Sequence, residues 1–189
     1  MLLRQYNITL QRLTLDDIEK VRYYRNLPQV SKFMEYRQYI SPEMQREWFE
    51  KLNEKNDFYF MIYDNETDLG VISIYNIDWQ QKVGTCGIFI WNEQYLNTDA
   101  PVRAVLAMLN HFFEVCELAQ TFIKVHRDNK KALFYNKKLG YEPLPQQDEE
   151  APFIHFSLQR KRYIEKTRHL NAFCQKIFEE KKAENPDPT

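Results

Sequence analysis

Few side chains in this sequence join a reactive chemical type to a place where a reaction could use it. His126 ends an alternating run in which Ile123 and Val125 point one way and Lys124 and His126 the other, and imidazole exchanges protons near neutral pH. Glu35 is a carboxylate inside an aromatic-rich connection, Val30 to Ile40, beside Tyr36 and Tyr39. Cys86 could act as a nucleophile in principle, but no partner base accompanies it and it reads as a buried structural thiol. His111 and Glu93 read as surface residues.

These candidates depend on the elements that carry them. Thr121 to Glu142 reads as a short buried strand, Phe122 to Val125, a turn at His126-Arg127-Asp128, and a helix from about Asn129 to Leu139. Asp128 or Asn129 can cap that helix with a side-chain oxygen, and Gly140 suits the left-handed geometry that stops it. Gln5 to Arg12 alternates as a first strand. Thr14 with Asp17 forms a capping-box variant before a helix through Ile18 and Val21, which Pro28 ends. Ser41-Pro42 opens a second helix carrying Met44, Trp48, Phe49 and Leu52. Asp57 to Tyr63, Leu69 to Asn76 and Val83 to Trp91 are strands, with Gly84 and Gly87 as candidate bulges. Apolar residues from Val102 to Cys116 recur at three and four residues, the strongest amphipathic helix in the chain. Phe153 to Leu158 is a last strand.

The predicted order is β-α-α-β-β-β-α-β-α-β, an α/β (α+β) arrangement of helices around one mixed, mostly antiparallel central sheet. Residues 1–158 form one domain. Residues 159–182 form an appended amphipathic helix, with Ile164, Leu170, Phe173 and Ile177 on its apolar side, docking on its own domain or making a homodimer. Residues 183–189 read as a disordered tail.

Within the stretch 121–142 the order N-x-x-A, an aromatic pair, then K-x-G-aromatic stands as Asn129 to Ala132, Phe134-Tyr135 and Lys138-Leu139-Gly140-Tyr141. This resembles the last motif of the GNAT superfamily of acetyl-CoA-dependent N-acetyltransferases, and the element order over about residues 4–158 is similar to that fold. Arg22 to Asn26 and the Ile40 to Phe49 run resemble the branch that acetylates ribosomal-protein N-termini and amino-sugar nucleotides. The resemblance implies an acetyltransferase acting on a primary amine of a small molecule, such as an amino sugar. Two other readings stay open: a non-catalytic relative that binds CoA or another ligand, and a protein N-terminal acetyltransferase.

It also implies where acetyl-CoA would lie. The pyrophosphate would rest on N–H groups opening the central helix, in a loop of pattern R/Q-x-x-G-x-G/A that is here Leu96-Asn97-Thr98-Asp99-Ala100-Pro101. That loop departs from the pattern: it has no glycine and no basic head, and Asp99 puts a carboxylate there, where it could cap the helix itself. The pantetheine arm would run beside the backbone of Ile88, Phe89, Ile90 and Trp91. Asn129 and Ala132 would flank the cofactor, and Tyr36, Tyr39 and Tyr75 would line the acceptor pocket beside Glu35. The base would be His126 or Glu35. The family's usual acid, a tyrosine, falls at Asn136, one residue after Tyr135, so Tyr135 as acid and Tyr135 as packing stay open.

With 43% hydrophobic residues, 189 residues can bury a sizeable core. A net charge of −1 gives no general attraction to nucleic acid. Cys86, Cys116 and Cys174 have no metal-ligand spacing, so no metal is expected. An early Arg4 and the lack of a long apolar run predict neither signal peptide nor membrane span, and a cytoplasmic setting.

Overall fold

The first strand bends back on itself. A computed structural model describes residues 1–55 and 57–184, and in it the expected strand Gln5 to Arg12 is a hairpin of β1 (Leu2–Gln5) and β2 (Ile8–Arg12). Tyr6 and Asn7 turn the chain with φ of 55° and 59°. The usual hairpin signal, Asn-Gly, is missing, and the left-handed Tyr6 is instead held by burial and by its hydroxyl donating to Asn171 at 2.9 Å.

α1 (Ile18–Asn26) begins later than Thr14, because Asp17 accepts from the Thr14 N–H and hydroxyl in a closed turn before the helix starts. α2 (Pro28–Ser31) is a single turn, and α3 (Pro42–Lys55) opens with Ser41 accepting from the Met44 N–H. β3 (Phe58–Asp64), β4 (Thr67–Asp78) and β5 (Val83–Ile90) make the meander. The irregularity lies on β4 at Asn76, with φ of 50°, not at Gly84 or Gly87. Gly70 is the glycine the sheet requires: a Cβ there would stand 2.1 Å from the Phe89 carbonyl oxygen.

α4 (Ala100–Asn110) passes into a π-turn, His111–Val115, so that Phe112 and Phe113 are both fully buried. β6 (Gln120–His126), α5 (Lys130–Leu139), the edge strand β7 (Glu142–Pro143), β8 (Phe153–Gln159) and α6 (Arg160–Glu184) complete the chain. Gly140 at φ 102° ends α5.

The eight strands lie in the order β1-β2-β3-β4-β5-β6-β8-β7, all neighbours antiparallel except β5 and β6. That parallel pairing lasts three residues, Val83 to Thr85 against Gln120 to Phe122, and then the strands part. One face packs Ile72, Ile74, Ile123 and Val125 against α4 and α6. The other packs Met61, Val71 and Trp91 against Ile18 and Val21 of α1 and Trp48 and Phe49 of α3. Each fully buried aliphatic or phenyl side chain contributes roughly 1.5–3 kcal/mol.

α6 docks on its own domain, with Leu170 of its expected apolar side packed on the core but Ile164 and Phe173 left outside. Tyr163, Thr167 and Cys174 are buried, whereas Ile164 and Phe173 are 45% and 60% exposed. The reason is polar: Tyr163 donates to Asn110 at 2.5 Å, and Asn110 donates to Asn171 and Gln5 at 3.0 Å, so the helix turns its hydrogen-bonding side inward. Most of the expected tail, residues 185–189, lies outside the described residues. Among the described residues no helix is long and apolar enough to cross a membrane.

Candidate active site

Where β5 and β6 part, the sheet opens into a cleft of about 410 Å³. From Cys86 onward β5 has no strand on its β6 side, so alternate N–H and C=O groups of that edge face the gap. Ile88 and Phe89 line it. Ile90 and Trp91 do not. The Trp91 N–H turns back to the Leu69 carbonyl at 2.9 Å, its ring stacks on Tyr24 at 4.6 Å, and its indole N–H donates to Asp68. Its backbone N–H is therefore not available to a ligand in the cleft.

Period-two alternation divides the cleft between the two faces of the sheet. On the α4 face stand Cys86, Ile88, Ile123, Val125 and Tyr141, with Ala132 and Asn136 of α5. Asn129 caps α5, its Oδ1 accepting from the Ala132 N–H at 3.1 Å. Asn136 spends one amide hydrogen on the Ala132 carbonyl at 2.9 Å and keeps the other. Cys86 lies buried at the point of divergence, and burial pushes its thiol up to about 12, which disfavours the thiolate a nucleophile needs.

Tyr135 is elsewhere. Its ring packs on the main core, its hydroxyl is buried without a partner, and burial holds its phenol far above the ordinary range. It lies on the wrong side of α5 to reach the cleft, since adjacent helical residues are about 100° apart.

The loop before α4 is a tight turn with no left-handed residue, so its lack of glycine carries no conformational cost. Leu96 donates its N–H to Glu93, and the Thr98 hydroxyl donates to the Tyr95 carbonyl and accepts from the Ala100 N–H, so neither is left to bind a ligand. The N–H groups of Asn97, Asp99 and Val102 have no partner among the described residues. Asp99 does not cap the helix. Arg103 binds its carboxylate at 3.0 and 3.2 Å and ties it to Asp64 and the Tyr6 carbonyl, away from the helix axis. Sequence reading missed Lys131, whose ammonium reaches from α5 to the Asn97 side-chain oxygen at 3.0 Å. Nothing in the sequence singles it out; only the fold brings α5 beside the α4 turn.

On the opposite, α1 face stand Lys124, His126, Glu35, Tyr36, Tyr59, Ser73 and Tyr75. Both Glu35 oxygens accept from Lys124, at 2.8 and 2.9 Å. His126 Nδ1 accepts from the Asp128 N–H at 3.2 Å, which leaves the neutral ring its proton on Nε2, and Phe33 and Phe153 flank the imidazole. Tyr39 does not join them: it lies outside against Arg22, 68% exposed. Tyr59, stacked on Tyr75 at 6.0 Å, takes that place, a residue that strand alternation alone could not distinguish from core. Arg25, which belongs to the Arg22 to Asn26 segment but has no site role read from the sequence, also lines the cleft.

A splayed mixed sheet with a helix N-terminus at the open end is the architecture of an acyl-transferring GNAT domain. The Acetyltransferase (GNAT) domain family matches residues 7–142, and the chain belongs to that family. No curated protein matches by sequence. Among solved structures, the chain is similar to apo FdhC, a nucleotide-linked sugar GNAT, with a TM-score of 0.75 and 19% identity over 92% of this chain and 98% of that one. RimL, a ribosomal-protein alpha-N-acetyltransferase in complex with coenzyme A, superposes with a TM-score of 0.71 and 12% identity over 84% and 98%. A chimera of the spermidine N-acetyltransferase SpeG from Vibrio cholerae gives 0.71 and 17% over 84% and 98%. At these identities the likeness concerns the fold. GNAT acetyltransferases use acetyl-CoA.

Proposed function

We propose that this protein transfers acetyl from acetyl-CoA to the primary amine of a small molecule, with an amino sugar as the acceptor class. The observation that carries the reading is the open gap between β5 and β6: Trp91 lies under α1, Phe134 is 66% exposed and Tyr135 is packed in the core, so none of the three fills it.

The residues present fit an anionic, thioester-bearing cofactor. The N–H groups of Asn97, Asp99 and Val102 at the start of α4, with the Lys131 ammonium beside them, would hold its pyrophosphate. The exposed edge of Ile88 and Phe89 would hold its arm by main-chain hydrogen bonds, with Asn129 and Ala132 alongside.

Acetyl-CoA supplies an activated acyl carbon and a thiol leaving group of ordinary pKa near 8.5, which needs little protonation to depart. In the balanced reaction the amine nitrogen bonds to the acyl carbon, the carbon–sulfur bond breaks with its electron pair on sulfur, and one amine proton is released. Amine and thioester become amide and thiol. Glu35 is the better proton acceptor. The basic lone pair of His126 is occupied by the Asp128 N–H, whereas a carboxylate offers about four lone-pair sites, of which Lys124 takes two. His126 Nε2–H is then a donor that orients the acceptor, and the spare Asn136 amide hydrogen can meet the departing sulfur.

The test is release of free thiol from acetyl-CoA against a panel of amines. Glu35→Gln should lower kcat about 100-fold and leave the KM for acetyl-CoA unchanged. A Glu35→Gln enzyme as fast as wild type would remove Glu35 from the chemistry.

A further inference from the structure

The last turns of α1 carry three polar residues, and two of them are fully employed. Arg22 is bound by Glu19, the Tyr39 hydroxyl and the Ile40 carbonyl. Asn26 exchanges two hydrogen bonds with the Ile40 backbone, at 2.9 and 2.8 Å. Together they hold Tyr39 and Ile40 against α1. Arg25 is different. It lines the cleft, and one guanidinium nitrogen donates to the Tyr36 carbonyl at 3.0 Å. No carboxylate pairs with it among the described residues. A guanidinium has five donors and stays charged, so most of its capacity is unused where water is partly excluded. Burial lowers its pKa, with no acidic neighbour to offset the loss of solvation.

The charge of the cleft points the same way. Glu35 is its one acidic lining residue, and both oxygens of Glu35 are engaged by Lys124. That pair cancels and Arg25 is left over. Nor is Arg25 placed for the cofactor's phosphates: α1 packs on the face of the sheet opposite α4, whose N-terminal turn and Lys131 form the phosphate end. The aromatic rings between, Phe33, Tyr59 and Tyr75, would hold an uncharged middle section.

We propose that the acceptor is an amine that also carries an anionic oxygen group, a phosphate or a carboxylate, bound by Arg25 while the amine faces Glu35. This rests on the acetyltransferase reading and narrows its acceptor class. A phosphorylated or nucleotide-linked amino sugar and an amino acid share the required chemistry; a polyamine, all cation, does not.

The experiment compares glucosamine, glucosamine 6-phosphate, a nucleotide-linked amino sugar, glutamate and spermidine at saturating acetyl-CoA, with thiol release as the readout. At least one anionic amine should show a kcat/KM ten or more times that of glucosamine, and whether phosphate or carboxylate wins names the group. Arg25→Gln should raise the KM for that acceptor at least tenfold and erase the selectivity, with the KM for acetyl-CoA unchanged. Arg25→Lys should recover part of it, which a folding defect would not. Spermidine or glucosamine turned over as well as the anionic amines, or full selectivity in Arg25→Gln, would overturn the inference and leave the acetyltransferase reading standing. Failure of the wild-type protein to bind acetyl-CoA would retire both.

Discussion

Replacing Lys131 by alanine isolates the one cation at the α4 turn that, among the described residues, is free to meet a phosphate. Arg103, the other cation nearby, is committed to Asp99, Asp64 and the Tyr6 carbonyl. Lys131 touches only the Asn97 side-chain oxygen, at 3.0 Å, an interaction it can exchange for a pyrophosphate oxygen without leaving the turn. A hydrogen bond to a charged group contributes about 1.5–3 kcal/mol. Lys131 is solvent-exposed, and screening reduces the figure toward about 1–2 kcal/mol. Lys131→Ala should therefore weaken CoA about 5- to 30-fold, at about 1.4 kcal/mol per decade. Titration calorimetry at low and high salt reads this directly. The gap between the two proteins should narrow as salt rises, because the Debye length falls to about 3 Å at 1 M. Dephospho-CoA, which keeps the pyrophosphate, should lose the same factor. A Kd within twofold of wild type would refute the assignment and leave the backbone N–H groups as the whole of the phosphate site.

Other outcomes follow from the same geometry. Tyr135→Phe removes a buried hydroxyl that has no partner, so thermal stability should hold or rise by up to about 1 kcal/mol and kcat should not change; a large loss of kcat would restore Tyr135 as the acid. Gly70→Ala drives a Cβ to 2.1 Å from the Phe89 carbonyl and 2.8 Å from the Ile90 Cα, backbone atoms that cannot step aside. It should cost about 2–3 kcal/mol, roughly 5–10 °C in Tm, and raise the KM for acetyl-CoA by shifting the β5 edge; an unchanged Tm would contradict the packing. Burial raises the Cys86 thiol to about 12 and the Tyr59, Tyr141 and Tyr163 phenols above their ordinary range. The unfolded chain loses these protons from about pH 9 to 10 while the folded chain keeps them, so Tm should be flat to pH 9 and fall from there toward 12. Stability that rises over that interval would reverse the sign.

What was legible in the sequence was whatever local patterning fixes. The run Asn129 to Gly140 announced a capped helix with a glycine stop, and the runs Val83 to Trp91 and Phe122 to Val125 announced the two strands that open the cleft. What local pattern does not fix is which distant side chains meet. Lys131 reaching Asn97, Lys124 holding Glu35 and Arg25 facing the same gap are accidents of topology that no spacing encodes. The first hairpin was hidden because its turn is Tyr6-Asn7, stabilised by long-range packing and a hydrogen bond to α6. The inward face of α6 was legible only in part for a related reason: of Ile164, Leu170, Phe173 and Ile177, Leu170 packs on the core, while Tyr163, Thr167 and Asn171 go inside because a polar network receives them and Ile164 and Phe173 stay exposed. Asp99 looked like a helix cap because a carboxylate precedes α4, and it does not cap because Arg103, shared with β3 and the first turn, holds it instead.

Binding of acetyl-CoA to the purified protein, followed by titration calorimetry, tests the central claim most directly. A Kd in the micromolar range, about −8 kcal/mol, is the expected result and would mean that a glycine-free turn with a borrowed lysine still holds the cofactor. No heat at millimolar acetyl-CoA would contradict it, leaving a GNAT fold whose open cleft serves some other ligand.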